Sequence, residues 1–412
     1  MNKIDHLQCS ICDQTYEVNE VTYTCPQDGG NLSIYLDHDK INATVQPTDI
    51  TSSREYSMWR YLPLLPVDNP DHVGTPLRSV GWTPIYTTKR LANLVGLNRL
   101  WIKDESSNPS ASFKDRASAL LVIRADEIGA EVIVTASTGN AGAALAGMAA
   151  ATGQSATIFA PKNAPPAKIT QLLIFGAQVL LVNGSYDDAF NLSIEAAHAF
   201  GWYCRNTGYN PFTAEGKKTA AYEIWEQVLL TQNLDRPLCI FVSVGDGNII
   251  SGLHKGFKDL VALGWLRQSP RIFGVQSTGS AAIYNAYKAS TETIRPVSAN
   301  TLADSISVDL PRDGLRALRA ATQTGGAYIA VDDNQILEAI SILGSVGIFA
   351  EPAGSTAYAG VAQALENGVI SVDDPVLAMV TGSGLKDIKS AMQAAGKAPI
   401  IAPTLTSLKQ RL

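Results

Sequence analysis

Residues 131–161 read EVIVTASTGNAGAALAGMAAATGQSATIFAP. A β-branched run, Glu131–Ala136, leads into a turn containing Gly139; an alanine-rich stretch, Ala141–Ala151, follows, and Ala156–Ala160 is apolar again. No Asp, Glu, Lys or Arg occurs from Val132 to Pro161, but polar turns at Ser137–Asn140 and Thr152–Ser155 divide the stretch. A membrane span needs about 20 predominantly apolar residues in one run. This segment reads instead as two buried strands joined by a small-residue helix. Strands that are apolar throughout belong to a parallel sheet covered on both faces.

The alternation continues outward. Ala167–Phe175 predicts a helix and Gln178–Val182 a strand. Leu238–Val244 predicts a strand, followed by a glycine turn and a helix to about Leu263; Arg271–Gln276 and Val376–Val380 predict further strands. Helices alternating with apolar strands define an α/β protein. In such sheets ligands sit at the carboxyl ends of strands. That rule singles out the turns Ser137–Asn140, Gly245–Asn248 and Thr381–Gly384.

Composition sets the bounds. The chain has 412 residues, 46% hydrophobic and 17% charged, with a net charge of −6. At roughly 100–200 residues per domain this is two or three domains with a sizeable core. Disorder is excluded, and the mild acidity argues against a nucleic-acid binder. The five cysteines, Cys9, Cys12, Cys25, Cys204 and Cys239, are too few and too unevenly placed for a disulfide framework. With no apolar leader at the N-terminus, a cytoplasmic, reducing setting and no membrane partner are expected.

Four places carry chemistry. In NPSASFKDR, residues 108–116, a helix is predicted to begin near Ser112, with Lys114 in its first turn. The partial positive charge there disfavours a second cation, so the amine is expected to have a lowered pKa and to serve as a Schiff-base nucleophile. The bland reading is a solvated lysine paired with Asp115. Gly245, Asp246, Gly247, Asn248 and Ile249 form a glycine turn whose converging N–H groups suit a phosphate. It lacks the P-loop lysine and the dinucleotide spacing, and an empty strand–helix turn is the alternative. Ser137, Thr138, Gly139, Asn140 and Ala141 would suit a carboxylate, unless Ser137 or Thr138 simply caps a helix. Thr381 and Ser383 place small hydroxyls beside close backbone, with a cap again as the alternative.

Trp82-Thr83-Pro84-Ile85, Lys103-Asp104-Glu105 and NPSASFKDR together resemble the opening of fold-type-II pyridoxal-phosphate enzymes, most of all the threonine synthases. STGNAG at 137–142, EGKKT at 215–219, the glycine loop, FAEPA at 349–353 and TGSGLKD at 381–387 follow in the same order. The resemblance implies two open, mostly parallel sheets with helices on both faces and the cofactor in a cleft between two lobes. It implies that Lys114 bonds to the cofactor aldehyde and moves protons. Ser137, Thr138, Gly139, Asn140 and Ala141 would hold the substrate carboxylate, with Asn140 also near the ring hydroxyl. Gly245, Asp246, Gly247, Asn248 and Ile249 would cradle the cofactor phosphate, and Thr381, more than Ser383, would meet the pyridine nitrogen. A neutral hydroxyl there leaves the ring a weaker electron sink than a carboxylate would, which favours elimination and replacement over transamination.

The implied activity is a lyase reaction, conversion of O-phosphohomoserine and water to threonine and phosphate. Two departures bear on it. Thr213 follows Asn210-Pro211-Phe212 where the family usually carries a phosphate-binding arginine, leaving Lys217, Lys218, Arg205 or Arg116 to compensate. The glycine loop is a residue shorter than usual, and Asp246 should point away from the phosphate. The alternative is β-elimination or β-replacement on serine, threonine or O-phosphoserine, as in a dehydratase or a cysteate-synthase-like enzyme. A dinucleotide oxidoreductase and a non-enzymatic amino-acid binder are more distant readings.

Cys9, Cys12 and Cys25 resemble a zinc ribbon in which Asp28 stands in place of the fourth cysteine. Asp28, His6 or His38 could close a structural zinc site; a metal-free ribbon remnant is the other reading. The expected organisation is a zinc-ribbon-like segment at 1–40, an arm and the first part of a large domain at 41–105, a small substrate-side domain at 106–205 and the large cofactor domain at 206–412. A homodimer acting on a small amino-acid or phosphoamino-acid substrate is implied by the family alone.

Overall fold

The computed structural model describes residues 3–87 and 89–411. A three-stranded antiparallel sheet comes first: β1 (Ile4–Cys9), β2 (Thr15–Tyr16) and β3 (Leu32–Leu36), in the order β2-β1-β3. On β3 Leu32, Ile34 and Leu36 alternate inward, a period of two that the turn-rich ribbon sequence had obscured.

The remaining strands are β4 (Ile85–Thr87), β5 (Leu100–Asp104), β6 (Val132–Ala136), β7 (Ser155–Pro161), β8 (Gln178–Val182), β9 (Tyr203–Cys204), β10 (Cys239–Ser243), β11 (Arg271–Ser277), β12 (Tyr328–Val331) and β13 (Val376–Val380). They form a six-stranded sheet, β12-β11-β10-β13-β5-β4, and a four-stranded sheet, β8-β7-β6-β9. Every pairing is parallel except that of β4 with β5 at the edge. The six strands read from the sequence are present. β4, β5, β9 and β12 were not read; β9 has two residues and β4 three, too short for a periodic signal.

Strands β10 and β13 are buried along their whole length. Phe241 on β10 stacks on Phe273 of β11 with ring centroids 4.6 Å apart. Each such buried side chain contributes about 1.5–3 kcal/mol relative to exposure. The alanine-rich sequence after β6 is a helix, Asn140–Thr152, whose small side chains allow close approach to the Lys114–Glu127 helix.

The arm before β4 packs into the core, with Leu62 half-buried. Trp59, Tyr61, Leu64 and Leu65 are buried. Arg60 pairs with Glu226 (Nη2 to Oε1, 2.5 Å), and the Tyr61 hydroxyl donates to Glu226 Oε2 at 2.8 Å.

A buried polar frame stands behind the Lys114 helix. Arg116 Nε donates to Glu105 Oε2 at 2.7 Å and Arg116 Nη1 to Glu223 Oε1 at 2.6 Å. Lys103 Nζ reaches Glu223 Oε2 at 2.8 Å, and the backbone N–H groups of Trp82 and Thr83 donate to the same carboxylate. WTP, KDE and KDR, three of the pieces carrying the family resemblance, are therefore tied together through one carboxylate. Burial alone would push Glu223 up, but Arg116 and Lys103 hold it down to about 2.

Candidate active site

The turns after β6, β10 and β13 lie at the carboxyl ends of their strands, and backbone bonds join the last of them to the segment that leads into Lys114. The helix carrying Lys114 starts at that residue, two positions later than the sequence suggested. Phe113 N–H donates to Thr381 O at 2.9 Å, and Ser383 N–H to Ala111 O at 3.1 Å. Glu351 N–H donates to Gly382 O at 3.0 Å. The lysine turn, the Thr381–Ser383 turn and the start of the Pro352–Glu366 helix are thus one hydrogen-bonded unit. A Cβ at position 382 would come within 2.3 Å of Glu351 Oε1, so a larger residue there would displace that carboxylate.

Lys114 sits among charges, with no direct side-chain partner among the described residues. Burial pushes its amine below the usual range; Glu351 and Asp246 raise it and Arg205 lowers it. Asp115, the partner in the bland reading, is turned away: its carboxylate accepts from Ser110 N at 2.6 Å and Ser110 Oγ at 2.5 Å.

The glycine turn after β10 leads into a helix, Asn248–Ala262. Gly247 is its N-cap, at φ +92°, with no side chain capping the first turn. Among the described residues no side chain therefore meets the leading N–H groups at the positive end of the helix dipole. Asn248 accepts from Lys217 Nζ at 2.6 Å and donates to Asp313 Oδ2 at 2.7 Å. Asp246 Oδ1 accepts the Arg312 N–H at 3.2 Å, and burial pushes its carboxyl up. Ile249 closes the first turn, nearly buried.

After β6, Gly139 is the N-cap of the Asn140–Thr152 helix and no side chain caps it. Ser137 Oγ accepts only the Gly139 N–H, at 3.2 Å. Ser137, Thr138, Gly139 and Ala141 are half-exposed, and Asn140 is buried. Asn140 Nδ2 donates to Glu351 Oε1 at 2.8 Å. An open cleft here is lined by Thr138, Asn140, Lys168, Glu351, Ala353 and Lys386.

Thr381 is buried, its Oγ1 3.4 Å from Ser243 Oγ at the end of β10. Ser383 Oγ instead accepts the Leu385 N–H, so its hydroxyl is engaged locally. Glu351 lies in the FAEPA motif, and no spacing rule announces that it meets Asn140, 211 residues away. Thr213 is buried and its Oγ1 donates to Asn210 O at 2.7 Å.

The uncapped glycine turn, with the buried Lys217 beside it, fits a phosphate. The partnerless lysine fits an aldehyde. The residues present are therefore suited to pyridoxal phosphate.

Apart from this site, Cys9, Cys12, Cys25 and Asp28 place ligand atoms all within 4.8 Å of one another. His6 instead stacks on Tyr35, and His38 faces Asp259 at 3.5 Å. All five cysteines are free.

Comparison with known proteins agrees with this geometry. The family described as pyridoxal-phosphate dependent enzyme matches residues 77–382. The chain is 36% identical over 390 residues to the threonine synthase of Methanocaldococcus jannaschii, covering 94% of each chain. It is 32% identical over 411 residues to the threonine synthase of Methanosarcina acetivorans, covering 99% of this chain and 98% of the other. Among solved structures, the processed form of threonine deaminase isoform 2 from Solanum lycopersicum superposes with a TM-score of 0.66 at 23% identity, over 81% of this chain and 92% of that one. Maize serine racemase gives 0.64 at 24% identity, over 76% and 91%. At these identities the structures show the fold alone.

Proposed function

This chain belongs to the pyridoxal-phosphate dependent enzyme family, and on that premise we propose that it is a threonine synthase acting on O-phosphohomoserine. The observation that carries the reading is the placing of Lys114, half-buried at a helix start, together with the uncapped helix starts at Gly247 and Gly139, which suit a phosphate and a carboxylate.

When bound, pyridoxal phosphate supplies an electron sink for the substrate α-carbon. The chain's own groups do the rest. The N–H groups of Gly247, Asn248 and Ile249, with Lys217 behind Asn248, hold the cofactor phosphate; Gly245 and Asp246 shape that turn. Ser137, Thr138, Gly139, Asn140 and Ala141 hold the substrate carboxylate at an uncapped helix start. Lys114, uncharged, takes the proton from the α-carbon and returns protons at later positions. Thr381 offers a neutral hydroxyl to the pyridine nitrogen. In the net reaction the bond from Cγ to the ester oxygen breaks, phosphate leaves with the electron pair, and water adds at Cβ.

The test is product analysis. Purified holoenzyme given O-phosphohomoserine should release inorganic phosphate and threonine in equal amounts. Phosphate without threonine, or no turnover while serine, threonine or O-phosphoserine is consumed, would refute it and favour β-elimination or β-replacement. Thr213, standing in place of an arginine, is the feature that keeps that second reading in view.

Three lesser readings belong with this one. Cys9, Cys12, Cys25 and Asp28 hold a structural zinc, supported by the closeness of their ligand atoms. The enzyme works in the cytoplasm, supported by its free cysteines; among the described residues no helix is long and apolar enough to cross a membrane. It acts as a homodimer, which sedimentation of the holoenzyme would test.

A further inference from the structure

The missing arginine at position 213 left four cations as substitutes, and their surroundings separate them. Arg116 is consumed by Glu105 and Glu223. Lys218 is consumed by Glu215 at 2.5 Å and Asp259 at 2.9 Å. Lys217 and Arg205 have no carboxylate partner among the described residues, although both are fully buried.

Lys217 is bound to Asn248 in the glycine turn, which places it with the cofactor phosphate. Arg205 lies elsewhere. It follows β9 of the four-stranded sheet, and its Nε donates to Ser118 Oγ at 3.2 Å. Ser118 lies four residues after Lys114, one helical turn along on the same face. Arg205 Nη1 donates to Thr207 Oγ1 at 2.9 Å, while Nη2 is buried with no hydrogen-bond partner among the described residues. Burial pushes this guanidinium down to about 10, and its charge is felt at both Lys114 and Lys217. The acid whose charge reaches it, Asp115, is already taken by Ser110.

An unpaired buried guanidinium is costly unless an anion completes it. The planar fork suits a phosphate, and Nη2 is left as an open donor on an arginine anchored to the Lys114 helix through Ser118. We infer that Arg205, anchored by Ser118 and Thr207, holds the phosphate group of the substrate in place of the absent arginine at 213. Arg205 is therefore the residue that selects a phosphorylated amino acid, and Lys217 serves the cofactor phosphate. This inference rests on the proposed O-phosphohomoserine activity for its substrate, but its anion site can be tested without turnover.

The experiment compares holoenzyme with R205M and R205K. KM for O-phosphohomoserine and the calorimetric Kd for inorganic phosphate should both rise roughly 10- to 100-fold in R205M. Cofactor content, visible cofactor absorption and the absorption change on adding L-2-aminobutyrate, which lacks a phosphate, should stay as in the parent. R205K keeps the charge but not the fork and should fall between. If R205M does not fold, R205K alone decides: an unchanged phosphate Kd and KM would overturn the inference. So would loss of cofactor from either variant with phosphate binding intact, which would assign Arg205 to the cofactor. Parent holoenzyme that binds phosphate through Arg205 yet makes no threonine would uphold the anion site and sink only the threonine synthase reading.

Discussion

Asn140 and Glu351 meet across the cleft: Asn140 Nδ2 donates to Oε1 at 2.8 Å and to Oε2 at 3.1 Å. Asn140 opens the helix that follows β6 of the four-stranded sheet, and Glu351 precedes the helix that packs on the six-stranded sheet. Both are buried. One hydrogen-bonded pair therefore links the turn after β6 to the unit that holds Lys114, and it brings a carboxylate to bear on the lysine. Burial pushes Glu351 itself up.

The pair predicts a pH effect. Lys114 is lowered by burial, and the Glu351 charge opposes that lowering. E351Q keeps the shape and the contact with Asn140 but removes the charge, so the lysine should deprotonate at lower pH. The rate at which apoenzyme captures pyridoxal phosphate rises as the amine becomes neutral. Its acid limb should shift to lower pH in E351Q; a shift upward would contradict the assignment.

Asp115 predicts a stability slope. Burial raises its carboxyl from the usual 3.8 to about 6. Between those values the folded chain keeps a proton that the unfolded chain has released. Stability from this residue is thus highest at low pH and falls as pH rises through the window, by about 3 kcal/mol at most. D115N should flatten the corresponding dependence of Tm relative to the parent. Parallel Tm curves would show that Asp115 does not titrate there.

The polar frame predicts a purely structural role for Arg116. R116M would leave Glu105 and Glu223 buried without their guanidinium, costing about 3–5 kcal/mol in urea unfolding. The folded fraction should keep its KM for O-phosphohomoserine. A large KM increase without loss of stability would move Arg116 into the substrate site.

The ribbon predicts a metal stoichiometry. Elemental analysis should find one zinc per chain, lost in C25S and on chelation at high temperature. D28C should bind zinc more tightly than the parent, since thiolate is the better structural ligand. Metal-free parent protein with unchanged Tm would establish the ribbon as held by packing alone.

Much was legible before any coordinates. Apolar strands separated by helical stretches disclose their own period, so β6, β7, β8, β10, β11 and β13 could be read directly. The strand-end turns followed from the rule for parallel sheets, and Lys114 from its place at a helix start. β9 and β12 were not read, because two and four residues carry no period; they are strands only because neighbours complete their ladders.

The sequence by itself determined the architecture, the helix that opens at Lys114 and the strand-end turns, since each is encoded within a dozen neighbouring residues. Tertiary structure alone decided which cations remain free. Arg116, Lys218, Lys217 and Arg205 are equivalent in a string of letters. Arg116 finds Glu223 at a separation of 107 residues and Lys218 finds Asp259 at 41, while Arg205 finds only hydroxyls. Whether a buried charge is satisfied depends on long-range contacts, because the chain must close on itself before donor and acceptor meet.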